Sequence, residues 1–364
     1  MVNCQLMFRW SFLLTFFIII ALFANCQDST TLSFTAYGEV YYVYDAARPT
    51  AHTRPPFMYS HNRTGEVSIN LAFLKASFSN ENTRANLALM TGTYSNANLA
   101  AEPGVLKNIF EANAGVRISK QRQLWIDAGV LPSHIGSESA VGKDNWTLTR
   151  SLAADNSPYY EAGARLSYNS ENKKWYTAVL WLNGWQRIQR VAGNHTPAFG
   201  TQATFTPTEK LLFNSSTFIG SDQPDSLRRM RYFHNLYSVV QLTQWLGLTL
   251  GLDLGWEQKE KESKTLNHWY TPLLILRMKI RDNRYFALRS EHYNDKASVI
   301  VSTANGVPFS VWSHSANLDM SLNRKLLWRV EGKWMKSRHP IFLQPDGDYK
   351  KWNWSASTAL CFSW

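Results

Sequence analysis

Only three of the 364 residues are cysteine, Cys4, Cys26 and Cys361, and two of these fall within the first 26 positions. A chain shortened there keeps one thiol and can form no internal disulfide. Beyond residue 26 no run is apolar enough for a membrane helix, and few windows carry a helical period. Gly-x-Ser-x-Gly elbows and glycine-rich phosphate loops are both missing. The nine histidines show no metal spacing; His61, His134, His195, His268 and His339 all fall between the regular segments. Ser133-His134 and Ser313-His314 each set a hydroxyl beside an imidazole, but neighbours along a strand point to opposite faces. These absences argue against an enzyme, a metal site or a cofactor. The net charge of +11 raises nucleic acid as a partner. Its scatter over turns and loops argues against that.

Aromatics are plentiful, with 15 Trp and 16 Tyr, while charged residues make up only 18% and the mean hydropathy is -0.30. That mixture suits a membrane barrel, in which only alternate residues need be apolar, and equally a carbohydrate-binding β protein. Residues 1–26 contain the one long apolar run. Arg9 precedes an apolar stretch from Trp10 to Ala24, and Ala24-Asn25-Cys26 offers a small-x-small cleavage site. The stretch is short for a spanning helix and predicts an export signal. Residues 27–364 then form one domain.

Alternation dominates that domain. In LGLTLGLDLGW, Leu246, Leu248, Leu250, Leu252, Leu254 and Trp256 interleave with Gly247, Thr249, Gly251, Asp253 and Gly255. Such a strand has one leucine face and one thin polar face. Similar runs recur at 31–45, 66–78, 84–94, 110–119, 124–130, 159–168, 174–183, 199–206, 211–220, 233–242, 246–257, 269–280, 284–293, 309–320, 326–336 and 352–364. Sixteen strands follow, or fourteen if the segments near Lys174 and Phe233 are not strands. In 66–78 the apolar set Val67, Ile69, Leu71 and Phe73 changes parity to Ala76 and Phe78, as a β-bulge would produce. In 110–119, Phe110, Ala112, Ala114, Val116 and Ile118 oppose Glu111, Asn113 and Arg117.

Short and long connections alternate along the chain, seven short and eight long. This predicts an all-β, antiparallel, up-and-down transmembrane barrel with short periplasmic turns and long extracellular loops. Closure follows because hydrocarbon leaves no partner for an open sheet edge. Sixteen strands leave an aqueous interior. Glu39, Glu111, Arg117, Asp127, Glu161, Arg165, Asp253, Arg277, Arg289, Glu291, Asp319, Arg329, Glu331 and Lys333 all fall opposite the apolar face and are read as a wet lumen wall.

Five strings, RPPFMYSHNR (54–63), RANLALMTGTYSNANLAAEPGVLKNIFEAN (84–113), LWIDAGVLPSHIGSESA (124–140), NWTLTRS (145–151) and LNGWQRIQR (182–190), carry a resemblance. With them the mature chain resembles the OmpL-like β-barrel porin family of Bacteroidetes-type outer membranes. The resemblance implies a bacterial outer-membrane barrel more strongly than any substrate. Leu360, Phe362 and Trp364 match the aromatic-ended signal that such barrels present to the barrel-assembly machinery, with Trp standing where Phe is commoner. Likeness to general porins implies that the longest loop, 132–158, folds into the barrel, although their usual loop motif is absent; the alternative is a loop that faces outward. With the loop folded in, Glu138, Lys143, Asp144, Arg150 and Asp155 would set the field of a constriction.

Two further groups of residues have competing readings. Arg187, Arg190, Arg228, Arg229, Arg231, Lys259, Lys261 and Lys264 would bind lipopolysaccharide phosphates, draw anions to the mouth, or simply be solvated. Tyr37, Tyr41, Trp125, Trp175 and Trp181 would form a stacking path for sugar rings or, more simply, anchor strand ends at the interfaces. The expectation is a passive channel for small hydrophilic solutes, with membrane lipid around it and a homotrimer as one open assembly state. The competing class is a closed barrel anchoring a surface or adhesion protein.

Overall fold

The computed structural model describes residues 30–364; the export signal and cleavage site expected in 1–26 lie outside the described residues. In chain order the elements are β1 (Thr31–Asp45), β2 (Val67–Ser79), β3 (Thr83–Thr91), the short helix α1 (Thr93–Asn98), β4 (Ile109–Arg117), β5 (Gln123–Pro132), α2 (Leu152–Asp155), β6 (Tyr160–Asn169) and β7 (Trp175–Leu182). Then follow β8 (Ala198–Thr208), β9 (Leu211–Gly220), β10 (Arg231–Gln241), β11 (Leu246–Gln258), β12 (Leu266–Arg281), β13 (Arg284–Asp295), β14 (Phe309–Ser321) and β15 (Leu326–Ser337). A small hairpin of β16 (Phe342–Leu343) and β17 (Tyr349–Lys350) precedes β18 (Trp352–Ser363). Sixteen strands, β1 to β15 and β18, close into one antiparallel barrel. The segments near Lys174 and Phe233 form β7 and β10, so the count is not fourteen. Closure is made by β18 against β1, with Ser363 opposite Tyr37 and Ser355 opposite Asp45.

Alternation decides which side of the wall each residue meets. Along β11, Leu250 and Trp256 are exposed outside, while Thr249, Asp253 and Glu257 are buried inside. The same outward exposure holds for Leu32, Leu74, Leu87, Phe213, Leu288 and Leu360 on other strands. Together they make an apolar surface far larger than water tolerates on a monomer, whereas hydrocarbon favours it. Aromatics rim both edges. Near the long-loop end His292 stacks on Trp312 at 4.6 Å and His314 on Trp334 at 5.8 Å. At the short-turn end Trp175 stacks on Phe205 at 4.3 Å.

Two bulges change the expected facing. Val40 pairs with Ile69 and Glu39 with Leu71, which leaves Asn70 as the extra residue in β2. The parity change therefore comes before Leu71, not after Phe73, and both Leu71 and Phe73 turn inward. In β4 the pairing skips Phe110, since Leu89 faces Ile109 and Ala88 faces Glu111. Phe110, expected outside with Ala112, packs inside and stacks on Phe73 at 4.8 Å. One additional residue on a strand puts two successive side chains on nearly the same side, which a strict period of two cannot anticipate.

Inside the long-loop half lies an apolar core. Five connections contribute to it: 46–66 (Phe57, Met58), 133–159 (Ile135, Leu152), 183–197 (Trp185), 296–308 (Val301) and 338–351 (Ile341, Phe342). They pack on inward-facing Phe218, Phe233, Trp269, Tyr293, Phe309 and Met335. Each large side chain buried this way contributes about 1.5–3 kcal/mol. The loops are therefore held within the barrel as a hydrophobic mass, and the interior is not a uniform water column.

Candidate functional site in the barrel interior

Segment 133–159 leaves the outer end of β5 and crosses the interior before returning to β6. Its contacts trace the path. Near its start the Gly136 N–H donates to Asn235 Oδ1 on β10 (3.2 Å), and Ser216 Oγ on β9 donates to the His134 carbonyl (2.7 Å). Lower down, the Lys143 N–H donates to the Tyr37 hydroxyl on β1 (3.3 Å), and Gly142 leaves no room for a Cβ beside the Glu39 carboxylate. Trp146 reaches Gly247 and lies 5.9 Å from the Arg277 guanidinium, close to the short-turn ends of β11 and β12. The return limb then climbs the β13–β15 wall to α2, whose first turn is capped by Ser151 Oγ accepting from the Ala154 N–H.

Buried charges fasten that limb. Glu331 accepts from the Thr149 N–H (2.5 Å) and hydroxyl (2.9 Å) and pairs with Arg289 at 2.9 Å. Arg289 also donates to the Thr149 carbonyl (2.6 Å) and Thr147 hydroxyl (2.8 Å). Arg329, held by Asp319 at 2.7 Å, donates to the carbonyls of Gly142 (2.6 Å) and Asn145 (2.9 Å). Glu291 accepts from the Leu152 N–H (2.6 Å), and Lys333 Nζ donates to the Arg150 carbonyl (3.1 Å). All of these wall charges are buried. The sequence expected them on a wet wall. They are instead enclosed beneath the loop, where ions persist only if paired and hydrogen-bonded. Removing one partner of such a pair costs about 3–5 kcal/mol.

Of the five loop charges expected to set a field, most do structural work. Glu138 accepts from the backbone and hydroxyl of Ser151 and lies 3.7 Å from Arg289. Arg150 is fully buried and donates to the carbonyls of Leu148 (2.9 Å) and Ala140 (2.8 Å), folding the segment on itself. Asp155 accepts from the Ser60 N–H (3.1 Å), and burial pushes its pKa above the ordinary aspartate value. Lys143 and Asp144 pair with each other at 2.6 Å, with side chains 39% and 48% exposed. Only these two face solvent.

The β2–β6 wall is different. Lys75 bonds both oxygens of Glu111 (2.8 and 2.9 Å) with its side chain 24% exposed. Arg84 and Arg165 share Asp127, at 2.6 and 3.2 Å, with side chains 32% and 21% exposed. Arg117 stays near the turn, donating to the carbonyls of Lys120 and Arg122. Asp253 is buried on β11 and accepts from Asn235 at 2.6 Å. Arg277 lies over the Tyr285 ring at 4.0 Å.

Glu161 organises the hinge of the crossing segment. Ser133 Oγ donates to its Oε1 (3.0 Å), His134 Nδ1 meets the same oxygen at 2.5 Å, and His134 Nε2 meets the Thr217 carbonyl at 2.8 Å. Both side chains reach one carboxylate because they lie past the end of β5, so strand alternation does not separate them. The hydroxyl bonds the carboxylate, not the imidazole, and the imidazole is used at both nitrogens. Burial alone would lower the His134 pKa, but the Glu161 carboxylate beside it holds it above the ordinary histidine value.

A second inward anchor has no counterpart in the sequence reading. In segment 46–66, Arg54 pairs with Asp45 (3.1 Å) and donates to Ser355 Oγ (2.8 Å), while the His61 ring lies 3.2 Å from Glu39. The signal was present: RPPFMYSHNR is too rich in large apolar side chains for a solvated loop. Of the five aromatics proposed as a stacking path, Tyr37, Tyr41 and Trp125 are buried inside, whereas Trp175 and Trp181 are exposed on the outer surface. Among the loop cations, Arg231 pairs with Glu257 at 2.7 Å and Arg229 lies 3.8 Å from the same residue. Leu360 and Phe362 are exposed on the outside of β18, and Trp364 is exposed just past its end.

The family described as "Putative beta-barrel porin-2, OmpL-like" matches residues 31–363. The chain belongs to this family. Among curated proteins none matches in sequence. Among solved structures, the anion-selective porin from Comamonas acidovorans superposes with a TM-score of 0.61 at 7% identity, covering 92% of this chain and 100% of that one. OmpT of Vibrio cholerae gives 0.57 at 9%, covering 93% and 99%, and Pseudomonas putida OprB gives 0.55 at 10%, covering 92% and 94%. At such identities the likeness shows the fold. With the family, it makes this chain a porin-like barrel of the outer membrane.

Proposed function

We propose that the protein is a passive diffusion channel for small hydrophilic solutes and ions, narrowed by segment 133–159 against the β2–β6 wall. One observation carries the reading: the segment crosses the interior and covers one wall, while the facing wall keeps Lys75, Arg84 and Arg165 in contact with water. The driving force is the solute gradient. Selection comes from the width beside Lys143 and Asp144 and from the lining charges. Lys75, Arg84 and Arg165 outnumber Glu111 and Asp127, which favours a weak preference for anions.

In this reading residues 1–26 direct export, the short turns face the periplasm and the long loops face outward. The loop cations not engaged in ion pairs meet lipopolysaccharide phosphates, and Leu360, Phe362 and Trp364 engage the barrel-assembly machinery. A Vibrio cholerae OmpT structure is described as a trimer form, and the same assembly is proposed here. No catalytic role is assigned. The apolar core at the long-loop end favours the competing reading of a closed barrel that anchors a surface protein. Purified protein in a planar bilayer separates the two. Stepwise, ohmic conductance is the expected result; silence under every voltage would leave the closed anchor.

A further inference from the structure

Between the descending limb of segment 133–159 and the long-loop ends of β3, β4 and β6 lies a cavity of about 320 Å³. Its walls include Phe110, Tyr94 and Tyr159 on the apolar side and Glu111, Glu138 and Ser137 on the polar side. Phe110 is placed there by the β4 bulge and is held by its stack on Phe73. Tyr94 and Tyr159 meet edge to face at 5.8 Å. The Tyr159 hydroxyl is itself enclosed by protein, so it is the ring and not the oxygen that the cavity meets.

The charges at this cavity are already answered. Lys75 bonds both oxygens of Glu111, and Ser151 and Arg289 face Glu138. An ion entering would lose hydration without finding an uncompensated opposite charge. Each carboxylate oxygen nevertheless keeps acceptor capacity for a hydroxyl donor. A ring with an apolar C–H face and hydroxyls on its edge meets both halves of the wall, and the volume is at the small end of ligand sites.

We propose that this cavity is a binding subsite for a neutral polyhydroxylated ring the size of a single hexose. Phe110 would receive its apolar face, and Glu111, Glu138 and Ser137 would bond its hydroxyls. The proposal rests on the channel reading for its role as a way station, but not for binding itself.

The test uses the full mature protein, with D-glucose as the probe, read in two ways. In planar bilayers, glucose should lower single-channel current saturably, while sodium gluconate and choline chloride at equal concentration should not. Calorimetry on detergent-solubilised protein should give a matching dissociation constant. Ser137→Ala removes a hydroxyl-bearing side chain from the cavity wall and should weaken glucose about fivefold, as loss of one hydrogen bond implies. Phe110→Ala should weaken it further, each read against the variant's own unblocked current. Trp181→Phe, on the outer surface, should leave glucose affinity unchanged. Absent conductance with calorimetric glucose binding would overturn the channel reading and keep the subsite. Normal conductance with no saturable glucose effect in either measurement would overturn the subsite and keep the channel. Saturation by choline in place of glucose would also overturn it.

Discussion

The β13–β15 wall and the β2–β6 wall are built from the same kind of strand, yet they use their inward charges oppositely. On β13–β15, Arg289, Glu291, Arg329, Glu331 and Lys333 are enclosed and spend their hydrogen-bonding capacity on the crossing segment. On β2–β6, Lys75, Arg84 and Arg165 pair with Glu111 and Asp127 but remain partly in water. An inward charge on a barrel strand is thus an anchor or a lining group according to what covers it. The strand pattern alone does not distinguish the two.

The largest break in this contrast comes from removing what covers the first wall. Deleting 137–145 should raise single-channel conductance several-fold and make Arg329 reachable by aqueous reagents; unchanged conductance would separate the segment from the pore. Next in size is Glu331→Ala, which strands Arg289 and frees Thr149. It should destabilise the folded segment by about 3–5 kcal/mol and appear as excess open-channel noise and early proteolysis within 133–159. On the outer surface, Leu250→Arg should cost about 2–4 kcal/mol if that residue sits near the bilayer midplane, measured by urea unfolding in lipid. Arg165→Ala, on the wet wall, should shift reversal potentials toward cations while changing stability by less than about 1 kcal/mol.

The smallest effect is a pH dependence at the hinge. The folded-state pKa of His134 lies above its unfolded value, with Glu161 favouring the cation and Arg165 opposing it. Its stabilisation of the hinge is therefore complete below the ordinary histidine pKa and is lost as pH rises through the elevated value. Current noise should increase across that window, and His134→Gln should remove the pH dependence.

Much of the barrel could be read in the residues. Alternation such as Leu250-Gly251-Leu252-Asp253 states which side is lipid, and the sorting of connections by length states the topology. The bulges were only half legible. The parity change in β2 is visible, but the alternation puts the apolar Leu71 and Phe73 on the lipid side, and nothing local marks Asn70 as the extra residue. The interior was least legible. That Glu331 meets Thr149, or Glu39 meets Gly142, depends on a crossing of the whole barrel, which no spacing along the chain encodes. Arg150 and Asp155 look like field-setting charges in sequence because their partners are backbone groups, which leave no mark in the residue pattern.

The contrast between the two walls is tested most directly by modifying introduced thiols during current recording, in a Cys361→Ser background. Lys75→Cys and Ser315→Cys, the latter buried on β14 and nearly isosteric with the native side chain, would each be exposed to a small cationic methanethiosulfonate. The expected result is a stepwise current change with Lys75→Cys and none with Ser315→Cys until 137–145 is deleted. Equal, immediate modification at both positions in the intact protein would contradict the account.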